Sequence, residues 1–284
     1  MTQTIGNPLS WSVDAMRGAG RHVEAAAEAL GSHDMTAPRV RRLTYADLRI
    51  ALRKGVEDFT ACRTDVMALC LLYPIIGLCI AYVALRGEFL PIAFPLVSGF
   101  ALVGPAAAVG LYEMSRQREQ GQQPTWSHAF AVTRSPAFAA IFALALMLGV
   151  VFFVWMLAAR GIYAITLGPE APASASAFLR DVFTTPAGWS MIVLGVGTGF
   201  LFAALVLATS VVSFPLLLDR LVGLPVAVVT SIRVAEASPG PVAAWGLIVA
   251  GLLALGSIPA FLGLIVVLPI LGHATWHLYR RAVV

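Results

Sequence analysis

Between Ala237 and Tyr279 the chain carries no Asp, Glu, Lys or Arg, and Gly256-Ser257-Ile258-Pro259 interrupts it near the middle. About 20 apolar residues cross a bilayer, so this stretch is too long for one crossing and reads as two spans joined by a tight turn. Inside hydrocarbon each backbone N–H and C=O must be satisfied by the helix itself, which restricts chain reversal to a water interface. The class implied is an all-α, polytopic membrane protein. Composition agrees: 59% of residues are hydrophobic and only 12% charged, where a soluble domain would be far more charged. The net charge of +4 would suit nucleic acid, but the basic residues sit where membrane topology places them, so no nucleic-acid partner is expected. Cys62, Cys70 and Cys79 fit no metal or redox spacing and read as free, packed thiols.

Residues 1–38 read as a flexible N-terminal arm, with a weak Ala- and Glu-rich helix over 10–30 and no apolar core of a cleaved targeting segment. Residues 39–65 read as an amphipathic surface helix. Thr44 and Asp47 fit a capping box, Leu43 and Leu48 a hydrophobic staple, and the helix should begin at Tyr45. Leu48, Leu52, Val56 and Phe59 form its apolar stripe, suited to the membrane surface. Arg41, Arg42, Arg49, Arg53 and Lys54 would then meet lipid phosphates or an acidic partner, the plainer alternative being a solvated basic face.

Residues 66–284 read as a six-span membrane domain, with spans at about 66–85, 89–113, 137–159, 188–218, 242–255 and 260–279. Alternating sides puts Arg116, Arg118, Arg134, Arg220, Arg233, Arg280, Arg281 and the basic N-terminal region together, against Arg86, Arg160 and Arg180. Both termini should therefore be cytoplasmic. The far-side loop over 161–186 shows no fold of its own in its Pro, Ala and Ser content. Phe59 and Arg63 recur as Phe130 and Arg134, with Ser238-Pro239 a fainter third copy, which predicts three membrane hairpins with amphipathic surface helices between them. Pro105, Pro215 and Pro269 fall inside spans, where they kink the helix or leave carbonyls free for a neighbour or a substrate.

Four elements carry a family resemblance: Arg42-Leu43-Thr44-Tyr45-Ala46-Asp47-Leu48; Gly104-Pro105 with Gly110-Leu111-Tyr112-Glu113; Ser213-Phe214-Pro215-Leu216-Leu217-Leu218-Asp219-Arg220; and residues 268–280, from Leu268-Pro269 through Gly272-His273 to Tyr279-Arg280. With them the chain resembles, from about Arg41 onward, the predicted integral membrane proteins of proteobacteria grouped as domain of unknown function 2189. The resemblance implies topology and no settled activity. Some members carry a cytochrome oxidase subunit label, which does not transfer, because this chain lacks the several membrane histidines of a haem–copper core.

His273 and His277, four apart on one helical face, are the candidate metal ligands. No Glu follows His273 and no third ligand lies nearby in sequence, so packing and hydrogen bonding at a helix end is the favoured reading, with no cofactor expected. Glu113, Arg116, Asp219 and Arg220 form a candidate polar cluster at the ends of the second and fourth spans, with Glu113 and Arg116 able to pair across one turn. No Ser-His-Asp set, phosphate loop or paired carboxylates suggests an enzyme. The leading function is a structural, assembly or accessory protein packing with a larger inner-membrane complex or as a homo-oligomer within the lipid bilayer. The alternatives are a transporter or channel for a small uncharged or lipidic solute and, behind it, a metal-binding protein using the two histidines. The charge asymmetry predicts that a periplasm-dependent reporter is active when fused within 169–176 and silent after Val284; activity at Val284 would overturn the topology.

Overall fold

The computed structural model describes residues 38–62, 67, 70–84, 87–123 and 131–284. The expected arm and its helix over 10–30 lie outside these residues, as do Arg63 and Phe130 of the repeat. Eleven α-helices occur in order among the described residues: α1 (Tyr45–Ala61), α2 (Leu72–Ala84), α3 (Ala93–Ala107), α4 (Val109–Glu119), α5 (Phe138–Thr166), α6 (Ala175–Thr184), α7 (Pro186–Ser210), α8 (Ser213–Asp219), α9 (Leu224–Ala237), α10 (Pro239–Ser257) and α11 (Leu264–Ala282). The only strand-like pairing among these residues is an isolated antiparallel bridge between Val40 and Val283.

Among the described residues four segments are long and apolar enough to cross a membrane: Phe89–Glu119, Phe138–Thr166, Pro186–Asp219 and Pro239–Ser257. Only 6% to 28% of the most apolar stretch in each is buried within the chain, so along those stretches few side chains are enclosed. Phe94, Phe153, Phe200 and Leu247 are among the exposed residues. The other two expected spans differ in kind. Leu72–Val83 is apolar but shorter. In α11 an apolar first half, Leu264 to Leu271, runs into a second half that contains His273, His277, Arg280 and Arg281. The expected turn before α11 is present, displaced a few residues to 258–263, with Ala260 and Phe261 at φ of 50° and 64°. Two left-handed non-glycine residues carry a backbone cost, which the close seating of Gly256 against Gly263 offsets by letting α10 and α11 meet at the bend.

Both broken spans break beside a proline. α3 gives way to α4 at Ala108, just beyond Pro105, and α7 gives way to α8 at Val211–Val212, four and three residues before Pro215. The freed groups find neighbours: the Tyr73 hydroxyl of α2 donates to the Ala107 carbonyl at 3.0 Å, and the Val212 N–H donates to Ser231 Oγ of α9 at 3.4 Å. Pro269 sits within the uninterrupted α11. The 161–186 loop does carry structure, contrary to its composition: α5 continues to Thr166, and α6 starts where Ser174 Oγ accepts the Ala177 N–H at 3.1 Å. Its Val182 is buried, and α6 packs on the start of α7, which is the tertiary support that a composition argument omits.

α1 begins at Tyr45 with the capping box complete: Thr44 Oγ1 accepts the Asp47 N–H at 3.3 Å, and Asp47 Oδ2 accepts the Thr44 N–H at 2.9 Å. Leu43 and Leu48 are both buried, as a staple requires. The packed face, however, is rotated from the expected stripe. Asp47, Leu48, Ala51, Gly55, Asp58 and Phe59 are buried, Leu52 only partly, and Val56 is 43% exposed. The reason is α11, which runs antiparallel to α1 in the most extensive helix contact among the described residues and needs small residues at the crossing. Backbone pairing closes the same edge, Arg41 N–H to Ala282 O at 2.8 Å and Val284 N–H to Arg39 O at 3.0 Å.

A Cβ added at Gly55 would lie 2.7 Å from Ala274 Cβ, Ala274 N and Ile270 O. Two of those atoms are backbone, so relief requires α1 and α11 to separate. Gly55→Ala should therefore cost about 1–3 kcal/mol despite its better helix propensity. A melting temperature unchanged or raised in detergent would show that the two helices are not in this contact.

Candidate functional site

The ends of α1, α4, α8 and α11 converge on a layer of buried and half-buried polar groups. Asp58 is its centre. It lies on the packed face of α1, a helical turn from Gly55, and is 5% exposed. Oδ2 meets the Ser115 hydroxyl of α4 at 2.7 Å and His277 Nε2 of α11 at 2.8 Å, while Arg118 pairs with Oδ1. An ionised carboxylate only accepts, so Ser115 donates its hydroxyl proton to Asp58 and His277 bears hydrogen on Nε2. Ser115 Oγ lies 2.7 Å from His273 Nδ1; with its own proton spent on Asp58, it accepts from Nδ1–H. His273 Nε2 is buried without a hydrogen-bond partner among the described residues.

Two further carboxylates tie α11 down. Tyr279 donates its hydroxyl to Asp219 Oδ2 at 2.6 Å, and Arg280 reaches Asp219 at 3.3 Å and Glu119 at 3.2 Å. Trp276 Nε1 donates to the other Glu119 oxygen at 3.0 Å. At the far end of the α1 contact, Asp47 Oδ1 takes Arg41 at 2.9 Å and Arg281 at 2.6 Å. Burial acts to raise the Asp47 carboxyl, but hydrogen bonds from Thr44 and Arg281 and the charge of Arg41 outweigh it and bring its pKa from 3.8 to about 2. Burial likewise opposes ionisation of Asp58, and the hydrogen bonds from His277 and Ser115 overcome it, holding this carboxyl below its usual range.

The residues singled out in sequence fall into this layer unevenly. Glu113 and Arg116 pair as expected, in a fork of 2.8 and 3.0 Å, with Gln117 added at 2.7 Å. Asp219 and Arg220 are 4.0 Å apart, and the stronger partners of Asp219 are on α11. His273 and His277 belong to one network, but each turns to a different protein group. Among the described residues no three His, Cys, Asp or Glu side chains are grouped to hold a metal ion. Of the basic set, Arg41 pairs with Asp47, and Arg53 makes an exposed pair with Glu57 at 3.5 Å. Arg42, Arg49 and Lys54 are exposed, with no ion pair among the described residues. Sequence reasoning missed Asp58, Ser115 and Glu119. The available signal was Asp58 itself, an acid on the same face as Ala51 and Gly55, where an unpaired charge would be too costly to bury.

Comparison with known proteins reaches part of this architecture. Residues 93–219 match the model of the family described as predicted integral membrane protein, domain of unknown function 2189. The match runs from the start of α3 to the end of α8 and takes in both broken spans; the capping segment at 42–48 and the histidine segment at 268–280 lie outside it. No curated protein and no solved structure matches the chain.

Removing Asp58 strands Arg118, His277 and Ser115 together. Asp58→Ala should lower stability by about 3 kcal/mol or more, far beyond an exposed control such as Glu57→Ala, as read by thermal unfolding in detergent. The depressed carboxyl of Asp47 contributes stability that is fully present above its unfolded pKa of 3.8 and is lost as pH falls towards about 2. The melting temperature should drop over that window, and Asp47→Asn should flatten part of the drop, worth on the order of 1–2 kcal/mol.

Proposed function

We propose that this integral membrane protein is a structural or accessory component that packs, through its apolar helix faces, with a larger membrane complex or with further copies of itself. The supporting observation is a division of labour between its two halves. The charged and polar groups of the layer formed by α1, α4, α8 and α11 bond mainly to one another, whereas the apolar stretches of the spanning helices bury few of their side chains within the chain, as little as 6% in α7. Lipid covers such faces, and so do the helices of a partner. Six spans in three hairpins, with both termini cytoplasmic in a bacterial inner membrane, complete this reading. α2 and α11 then supply the first and sixth crossings, and the polar layer sits at the cytoplasmic side with most of the arginines.

Transport through the broken spans is the reading this arrangement favours less. At each break a freed backbone group is taken up by a neighbouring helix, through Tyr73 in one case and Ser231 in the other, which leaves less for a solute to use.

Gly197 of α7 offers a test that separates packing within the chain from packing beyond it, since a Cβ there would meet nothing within 4 Å. Gly197→Leu should leave the unfolding free energy of the isolated protein within about 0.5 kcal/mol of the parent while displacing a protein that co-purifies in native lipid. Extraction in native-lipid discs that yields single copies with no protein partner would overturn the proposal.

A further inference from the structure

Beside the Asp47 pairing, at the end of the α1–α11 contact, an open cavity of about 400 Å³ is lined by Arg41, Lys54, Glu119, His277, Arg280, Arg281 and Val284. Four cations and one anion, Glu119, thus line it before His277 is counted; Asp47, which pairs with Arg41 and Arg281, and Asp219, which pairs with Arg280, are not among the lining residues. Glu119 is also the busier partner. Both oxygens of Glu119 are occupied, by Trp276 and Arg280. The cations keep donors in reserve. A guanidinium has five N–H groups; Arg41 directs Nε to the Arg281 carbonyl and Nη2 to Asp47, Arg281 directs Nη1 to Asp47, and Arg280 directs Nε and Nη1 to Glu119 and Asp219. Lys54 has no ion pair among the described residues.

We propose that this cavity is a phosphate site, which takes the phosphate group of a membrane lipid or of a soluble phosphorylated molecule. The cations come from three places in the chain, the segment before α1, the middle of α1 and the end of α11, and border one cavity. A tetrahedral oxyanion presents acceptors in several directions, and guanidinium forks match its edges; a planar carboxylate would satisfy fewer of them. Arg41 and Arg281 are already held by their shared Asp47, which lowers the ordering cost of binding. The volume exceeds that of a bare phosphate and has room for the group it esterifies. Cations at the end of α11 partly answer the negative pole of that helix, but Lys54 stands mid-helix on α1 and has no such role.

The test uses the full chain in maltoside micelles free of phosphate. In one arm inorganic phosphate is titrated against chloride at matched ionic strength; in the other, phosphatidylglycerol is added to the micelles and bound lipid is counted by native mass spectrometry, with melting temperature followed in both. A saturable rise in the phosphate arm identifies a soluble ligand, and a saturable rise confined to the phosphatidylglycerol arm identifies a lipid headgroup. In either case Lys54→Gln, which removes an exposed unpaired cation and leaves the unliganded melting temperature unchanged, should weaken the midpoint roughly tenfold. Arg49→Gln, an exposed cation of α1 outside the cavity, should not. The absence of a saturable rise in both arms, or equal midpoints for the two variants, would overturn the phosphate site.

Discussion

The Asp58 carboxylate is buried between three helices, and its ionisation sets conditions on all of them. A lone buried charge is prohibitively costly, so Arg118 and Ser115 must arrive from α4 and His277 from α11 before α1 can close on its neighbours. Helix contact elsewhere accompanies that closure: the small residues Gly55 and Ala274 lie where the backbones approach, and the Val40–Val283 bridge fastens the same edge. Buried ion networks contribute less to net stability than to specificity, and here the specificity concerns register. Sliding α11 by one turn along α1 would separate Asp58 from His277 and Asp47 from Arg281 together.

Backbone satisfaction in an apolar environment governs the rest. Breaking a span at Ala108 or Val211–Val212 leaves polar groups that hydrocarbon cannot solvate. The side chains that answer them, Tyr73 on α2 and Ser231 on α9, tie flanking helices to the breaks. Each break also redirects the helix beyond it. α4 and α8 are short helices that lie against one another and against α11, and they carry Glu113, Ser115, Arg118, Glu119 and Asp219 into the polar layer. An unbroken span would project those groups along its own axis.

Much of this was legible in local pattern. The absence of charge from Ala237 to Tyr279, the capping box at Thr44 and Asp47 and the one-turn pair Glu113–Arg116 all involve residues close in sequence, where helix geometry alone fixes the outcome. The apolar stripe on α1 was misplaced by a rotation, because hydropathy ranks Val56 above Gly55, whereas close approach to Ala274 and Ile270 selects the glycine. α6 was hidden for a similar reason: Ala, Ser and Pro signal a connector, and only the seat for Val182 against α7 makes ten residues helical.

Sequence by itself determined the class and placed the four apolar segments that are long enough to cross a membrane, two of which break beside Pro105 and Pro215, since apolar length and backbone satisfaction are properties of a single segment. It also determined that His273 and His277 share a helical face. What those histidines do was decided only in three dimensions. Their partners lie on other helices, Asp58 at 219 residues from His277 and Ser115 at 158 residues from His273, and no periodicity within one helix encodes which carboxylate will meet which imidazole. That choice depends on the antiparallel register of α1 and α11, which the summed packing and pairing along both helices sets at once.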